Sequence, residues 1–476
     1  MSYNNNILNE RIFFKGFRNY IAILLMIAML VSLLLRQRIY GFHLLGILSL
    51  CISFLMIKLF YYSNIRVNSK LFRIRLFIFS FFLNAIFVFI IGWILQHING
   101  MPFLSFGDDF LYNEKAISLA EQWEQNGFSI SEFYKGSYSG FPNFSAILMY
   151  ISGIHDWWIP RIGNSFLGAL SCLLIYNIIE FIYKNEKIAK LISSFLAFSP
   201  LIVVYSSLQL KDILLVFLLL ASFNCYIKVL WNRLNFKEFL LMLLFLSLML
   251  FVRPATMIAF LISMVIYQLF FHDTAKLKKR KVITSILILA LAISVWNYLD
   301  RIDFLTSSDS YIDRYFMERT DGSLVQGDKS FISQTSYTQL LSVPIYILIS
   351  PFFPTPLITK IDENNLFFTN FEYAPSILYV ALLPFCITSM IIIIKKKQMQ
   401  SIAPLFVIFY LVYRSGQCLT LSIFSLRQSL PAVFCLFLIL PIAFYNKDLQ
   451  KVRNLIFLIT VIFMILFSSV RYLIRI

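Results

Sequence analysis

From Leu76 to Leu95 the chain runs through twenty residues without a charge, and comparable stretches recur along most of its length. About 20 consecutive apolar residues are what an α-helix needs to cross the hydrocarbon of a bilayer. Inside lipid every backbone N–H and C=O must find an internal partner, so such a chain folds as a set of spanning helices. Composition agrees: 59% of the 476 residues are hydrophobic and 14% charged, which excludes a soluble domain. The 51 Phe and 25 Tyr suit helices that face lipid and end in aromatic belts.

The fold class expected is therefore an all-α polytopic membrane protein. Spans are read at 19–36, 40–61, 75–96, 161–183, 188–207, 212–231, 238–252, 255–271, 282–298, 376–394, 402–414, 428–445 and 453–470. That makes roughly thirteen transmembrane helices. The first is a retained span, since Arg36-Gln37-Arg38 follows it without a small-residue cleavage pattern.

Charge sets the orientation. Arg11, Lys15 and Arg18 precede the first span and place the N-terminus in the cytoplasm. Alternate loops then carry Arg66, Lys70, Arg73 and Arg75; Lys184, Lys187 and Lys190; Arg233 and Lys237; the 276–281 cluster; Lys395 to Lys397; and Lys447, Lys451 and Arg453. Every inward loop is basic. The formal charge of +17 is thus spread over short loops rather than gathered on one face, which argues for anionic membrane lipids as counterions and against nucleic acid. The six cysteines lie singly in or beside apolar runs, without metal spacing, and read as packing residues.

Two outward segments, 97–160 and 299–375, are long and hold apolar stretches too short to cross by themselves. Both external loops are expected to bear membrane-skimming helices. In the first, Tyr112, Ala116, Leu119, Ala120 and Trp123 form one stripe of an interfacial amphipathic helix that ends at Asn126-Gly127. Phe144 to Ile151 and Leu340 to Ile349 are read as dipping into the outer leaflet. The organisation expected is an N-terminal hairpin (1–74), a catalytic transmembrane module (75–298, with loop 97–160), the second external loop (299–375) and C-terminal helices (376–476).

Asp108 and Asp109 open that first external helix. One acid there could serve as a cap favoured by the helix dipole. Two acids beside a low-dielectric surface also suit a base that takes a proton from an incoming hydroxyl, one raising the pKa of the other. Asp108-Asp109-Phe110-Leu111-Tyr112-Asn113-Glu114-Lys115-Ala116 resembles the Asp-Glu-x-x-Tyr-x-x-x-Ala signature in the first external loop of GT-C membrane glycosyltransferases, such as protein O-mannosyltransferases and bacterial aminoarabinose transferases, with Asp109 replacing the usual Glu. The resemblance continues through Phe141-Pro142, Arg161-Ile162-Gly163-Asn164, Ala197-Phe198-Ser199-Pro200 and Tyr205 to Asp212.

The resemblance implies a polyprenyl-phosphate-linked sugar donor, a lipid, glycan or protein acceptor, and an extracytoplasmic site in a bacterial cytoplasmic membrane. Asp108 would act as base, with Asp109 beside it, in an inverting transfer. Tyr112, Arg161 and Asp212 stand as supporting residues. Lys211 and Asp212 otherwise read as a local ion pair at a span boundary, of a kind that contributes little when exposed. Arg253-Pro254 interrupts two apolar runs, and Arg427 lies in Ser425-Leu426-Arg427-Gln428-Ser429-Leu430-Pro431, which resembles the Arg-containing element near the C-terminus of many GT-C proteins. Arg427, Arg253 and Lys211 are the candidates for the donor phosphate, the arginines alternatively snorkelling to ordinary headgroups. Arg414 ranks below them. No cofactor is required by this reading; a divalent metal is possible but not favoured, and His97 and His155 are left unassigned. A polysaccharide polymerase or ligase using an undecaprenyl-linked glycan is the nearest alternative, and a transporter or flippase a more distant one.

Overall fold

The computed structural model describes residues 16–27, 40–104, 108–129, 140–231, 236–271, 366–395, 402–419, 426–444 and 449–475. The span expected at 282–298, the 276–281 basic cluster and nearly all of the second external loop lie outside the described residues. Among those described, the ordered elements are helices and no strand occurs. In chain order they are α1 (Gly16–Ile27), α2 (Tyr40–Asn64), α3 (Ser69–Asn99), α4 (Asp108–Asn126), α5 (Gly140–Ser152), α6 (Trp158–Tyr183), α7 (Glu186–Ala197) and α8 (Pro200–Ser206). They continue with α9 (Asp212–Trp231), α10 (Phe236–Val252), α11 (Pro254–Phe270), α12 (Leu366–Lys395), α13 (Ala403–Leu419), α14 (Leu426–Phe444) and α15 (Gln450–Arg475).

By length and apolarity four helices can cross a membrane: Ser69–Asn99, Trp158–Tyr183, Asp212–Leu230 and Ala374–Ile394. The bent pair α7 and α8 makes a fifth if it counts as one span. The chain is thus a multi-pass α-helical membrane protein. One expected element is corrected. The segment read as a continuous span at 188–207 breaks between Ala197 and Pro200 with a bend of 47°. Pro200 has no N–H to donate and forces Ser199 into extended backbone (ψ 148°), so α7 stops and α8 restarts with proline in its first turn.

The described residues group into two compact units. The first is built from those within 1–252, 353–388 and 440–476, the second from those within 253–352 and 389–439. In the first unit α6 is the central helix, packed against α3, α5, α7, α8 and α9. α6 and α8 approach closely at Gly168: a Cβ there would crowd the Ser206 side chain and force it to shift. Cys172, Cys225, Cys386 and Cys435 are buried, while Cys51 is exposed. In the second unit α11 packs against α13.

The helix expected to open at Asp108 forms where the sequence placed it, ending at Gly127 with φ +82°. Its stripe, however, faces protein. Ala116, Ala120 and Trp123 pack against Ala146 and Met149 of α5, so an apolar face expected to rest on lipid is covered by a neighbouring helix.

Candidate active site

The chain leaves α3 through residues 100–104, and three helices grip that loop. From α3, Asn99 Nδ2 donates to Phe103 O (2.9 Å) and Leu104 O (3.1 Å). From α6, Arg161 Nη2 donates to Pro102 O. From α4, Asp109 Oδ2 accepts the N–H of Leu104 at 2.6 Å. Beneath the loop, Leu104 packs with Ile91, Leu95, Val204, Leu208 and Leu210.

This arrangement divides the acidic pair. Successive residues of a helix point about 100° apart, so only one of two adjacent acids can face the interior. Asp109 takes that place at 2% exposure, on a buried stripe with Asn113, Ala116, Ala120 and Trp123, while Asp108 is exposed. Both carboxylates sit in the first turn of α4, where the helix dipole favours negative charge.

Arg161 is fully buried, and its guanidinium lies 4.7 Å from the Trp157 ring centroid and 5.5 Å from that of Phe103. Its Nε and Nη1 make no hydrogen bond. A guanidinium out of water needs compensation, which here comes from the two ring faces, the Pro102 carbonyl and the charge of Asp109 acting on it.

One turn further along α6, Asn164 Nδ2 donates to Leu208 O (2.8 Å) and Leu210 O (2.9 Å). These two bonds fix the approach to α9 and set Lys211 and Asp212 at its N-terminal end. Lys211 is 8% exposed and Asp212 is fully buried, which overturns their reading as an exposed, weakly contributing ion pair. Lys211 Nζ stands 5.7 Å from the ring centroid of Tyr112, and that ring meets Phe141 edge-on at 5.4 Å. Asp108, Asp109, Tyr112, Arg161, Lys211 and Asp212 are therefore gathered where α3 ends and α4, α6 and α9 begin. His155 Nε2 lies 3.1 Å from Glu124 Oε1, tying the end of α4 to the approach to α6.

The second unit holds a separate polar network. Arg253 is the residue before α11, its backbone extended ahead of Pro254. Its Nη1 donates to Tyr413 Oη (3.1 Å), which donates onward to Gln428 O (3.0 Å). Arg414 is 1% exposed and donates to Gln417 Oε1 (2.6 Å) and to Ser429 Oγ, while Gln417 Nε2 donates to Gln428 O (2.7 Å). Arg253 is thus linked to the residue that follows Arg427, and Arg414, ranked lower from sequence, is the buried member. Sequence reasoning missed Asn99, Asn164 and Tyr413. Asn164 did lie inside a motif already singled out, and a lone amide in an apolar run was the signal available.

Among the described residues no three His, Cys, Asp or Glu side chains come together as a metal site would require. The fold is that of a multi-pass helical membrane protein with ionisable groups gathered where α3 ends and α4, α6 and α9 begin. Residues 140–298 match the family model of dolichyl-phosphate-mannose-protein mannosyltransferases. That match, over about a third of the chain, supports a membrane glycosyltransferase of GT-C type. The matched residues include Arg161, Asn164, Lys211, Asp212 and Arg253; Asp108 and Asp109 precede them. No curated protein and no solved structure matches the chain.

Proposed function

We propose that this glycosyltransferase moves a sugar from a polyprenyl-phosphate donor to an acceptor hydroxyl, with inversion, on the extracytoplasmic face of a bacterial cytoplasmic membrane. The acceptor is a lipid, a glycan or a protein. On this reading the shorter apolar helices complete a set of roughly thirteen spans, and the 75–298 module carries the catalytic core. A lipid-borne donor is in keeping with the mannosyltransferase family match.

The step is a single displacement. The acceptor oxygen bonds to the anomeric carbon as the bond from that carbon to the phosphate oxygen breaks, and Asp108 takes the acceptor proton. The polyprenyl phosphate leaves with the bonding pair, and a cationic side chain stabilises its growing charge, with Arg427, Arg253 and Lys211 the candidates read from the sequence. What carries the assignment of Asp108 over Asp109 is their contrast: Asp108 is exposed, whereas Asp109 is buried and bonded to the Leu104 amide.

Transfer from labelled polyprenyl-phosphate sugars by purified protein in proteoliposomes tests the proposal. Asp108→Asn is expected to lose transfer while keeping expression and the melting profile. Wild-type turnover in that variant would remove Asp108 as the base, and import of substrate without any transfer would overturn the reaction itself.

A further inference from the structure

The helices that present Asp108 and its neighbours at one end also build a polar cavity at the other. α3 runs from Ser69 to Asn99, α6 returns from Trp158 to Tyr183, and α9 runs back from the Lys211 end to Trp231. Helices of this length, at 1.5 Å per residue, extend for about 30 Å or more, the thickness of a hydrocarbon core. Arg73 near the start of α3 therefore meets Glu180 and Lys184 at the end of α6 and Lys228 near the end of α9. With Asn177 and Asn224 they line a cavity of about 530 Å³. Nothing in the transfer chemistry uses it.

Its charges are unevenly satisfied. Lys228 Nζ pairs with Glu238 at 3.2 Å, and Glu186 at the rim is held by Lys190 at 2.8 Å. Arg73 is different. Its Nη2 stands 3.7 Å from Glu180 Oε2, beyond hydrogen-bond reach, and its Nε is buried with no acceptor. Lys184 has no acidic partner among the described residues and lies 4.2 Å over the Phe181 ring. It also caps α6 in the left-handed region (φ +52°), a conformation that a lysine adopts at a cost. Three cations, Arg73, Lys184 and Lys228, outnumber the Glu180 and Glu186 carboxylates in the lining, and the buried guanidinium N–H, the ammonium of Lys184 and two carboxamides match an anion with several acceptor oxygens.

We propose that this cavity binds the phosphate of a lipid headgroup, in the leaflet opposite the Asp108 site. Arg73 supplies paired donors to two phosphate oxygens and Lys184 a point charge to a third. A lipid is favoured over a soluble anion because Leu71, Ile74 and Ile78, which flank Arg73 along α3, are exposed and apolar, a surface for acyl chains. Basic loops on the same side add electrostatic attraction.

Native mass spectrometry of the purified full chain reads binding directly and does not depend on transfer activity. The probes are phosphatidylglycerol, diacylglycerol and inorganic phosphate. Phosphatidylglycerol is expected to bind one molecule per chain and diacylglycerol not to bind. Arg73→Gln with Lys184→Gln should weaken phosphatidylglycerol about tenfold or more, as expected for losing charge-assisted hydrogen bonds. Lys184→Gln alone, which breaks no ion pair, should weaken it in a protein that melts normally. Equal affinity in the wild type and in folded Lys184→Gln and double variants would overturn the site. Diacylglycerol binding as tightly as phosphatidylglycerol would overturn recognition of phosphate. Inorganic phosphate held at the same residues, unaffected by added lipid, would overturn the lipid as its source.

Discussion

Asp109→Asn separates a residue that builds the candidate site from one proposed to do its chemistry. The amide keeps the carboxylate's shape and can still accept from Leu104 N, now without charge. A hydrogen bond to a charged group contributes about 1.5–3 kcal/mol and a neutral one about 0.5–1.5, so this change costs about 1 kcal/mol. The larger part comes from Arg161, fully buried, whose counter-charge is Asp109. Removing one partner of a buried contact pair costs about 3–5 kcal/mol, and a partner acting through space is worth less, about 1–2 kcal/mol. Asp109→Asn should therefore destabilise the first unit by about 2–3 kcal/mol. Asp108→Asn, at an exposed position, should stay within about 1 kcal/mol of the wild type while transfer is lost. Unfolding by SDS titration in mixed micelles, followed by the fluorescence of the six tryptophans, Trp123 and Trp157 among them, measures both. If Asp109→Asn unfolds within about 0.5 kcal/mol of the wild type, or if Asp108→Asn proves the more destabilising, the division between the two acids is wrong.

Three other substitutions probe the same framework. Asn164→Ala removes the bonds to Leu208 O and Leu210 O, worth about 1 kcal/mol each; it should lower transfer by loosening Lys211 and Asp212, and Asn164→Asp, which sets an acceptor against the same two carbonyl oxygens, should lower it further in the same assay. Gly168→Ala drives a Cβ to within 2.2 Å of Ser206 Oγ, and thermal unfolding should register a loss of about 1–3 kcal/mol; normal melting would mean that α6 and α8 are not packed as described. Arg427→Gln should slow transfer about a hundredfold, the effect of losing one donor to a departing oxyanion, with expression unchanged; wild-type turnover would remove it from the leaving-group site.

Much of the helical framework was legible from hydropathy because its residues are apolar on nearly every face. The stretch expected at 75–96 falls inside Ser69–Asn99, and those expected at 161–183 and 212–231 match α6 and α9 closely. Residual error lies at the ends, where a single polar side chain decides: α3 starts earlier because Asn68 Oδ1 accepts from Leu71 N at 2.8 Å. The break before Pro200 escaped because the residues on both sides are equally apolar, so composition continues across a change of direction. In the site, the acids were legible since charge at a membrane face stands out. Asn99 and Asn164 were not, because an amide that satisfies distant backbone carbonyls has no periodicity of its own.

The sequence by itself determined that the protein is helical, membrane-embedded and acidic at the start of one amphipathic helix, because lipid leaves a backbone few choices and an uncharged run of sufficient length announces itself. It also supplied the resemblance to GT-C transferases that the family match over 140–298 supports. Only the tertiary structure shows which of the two acids is buried. Both acids occupy the first turn of α4, and which of them is buried depends on α5 covering the Ala116, Ala120 and Trp123 face and on Arg161 and the Leu104 amide waiting on the same side. Two of those contacts, with α5 and with Arg161, join residues about thirty and about fifty positions apart in the chain, and helical phase relative to a partner is fixed only when the partner is in place.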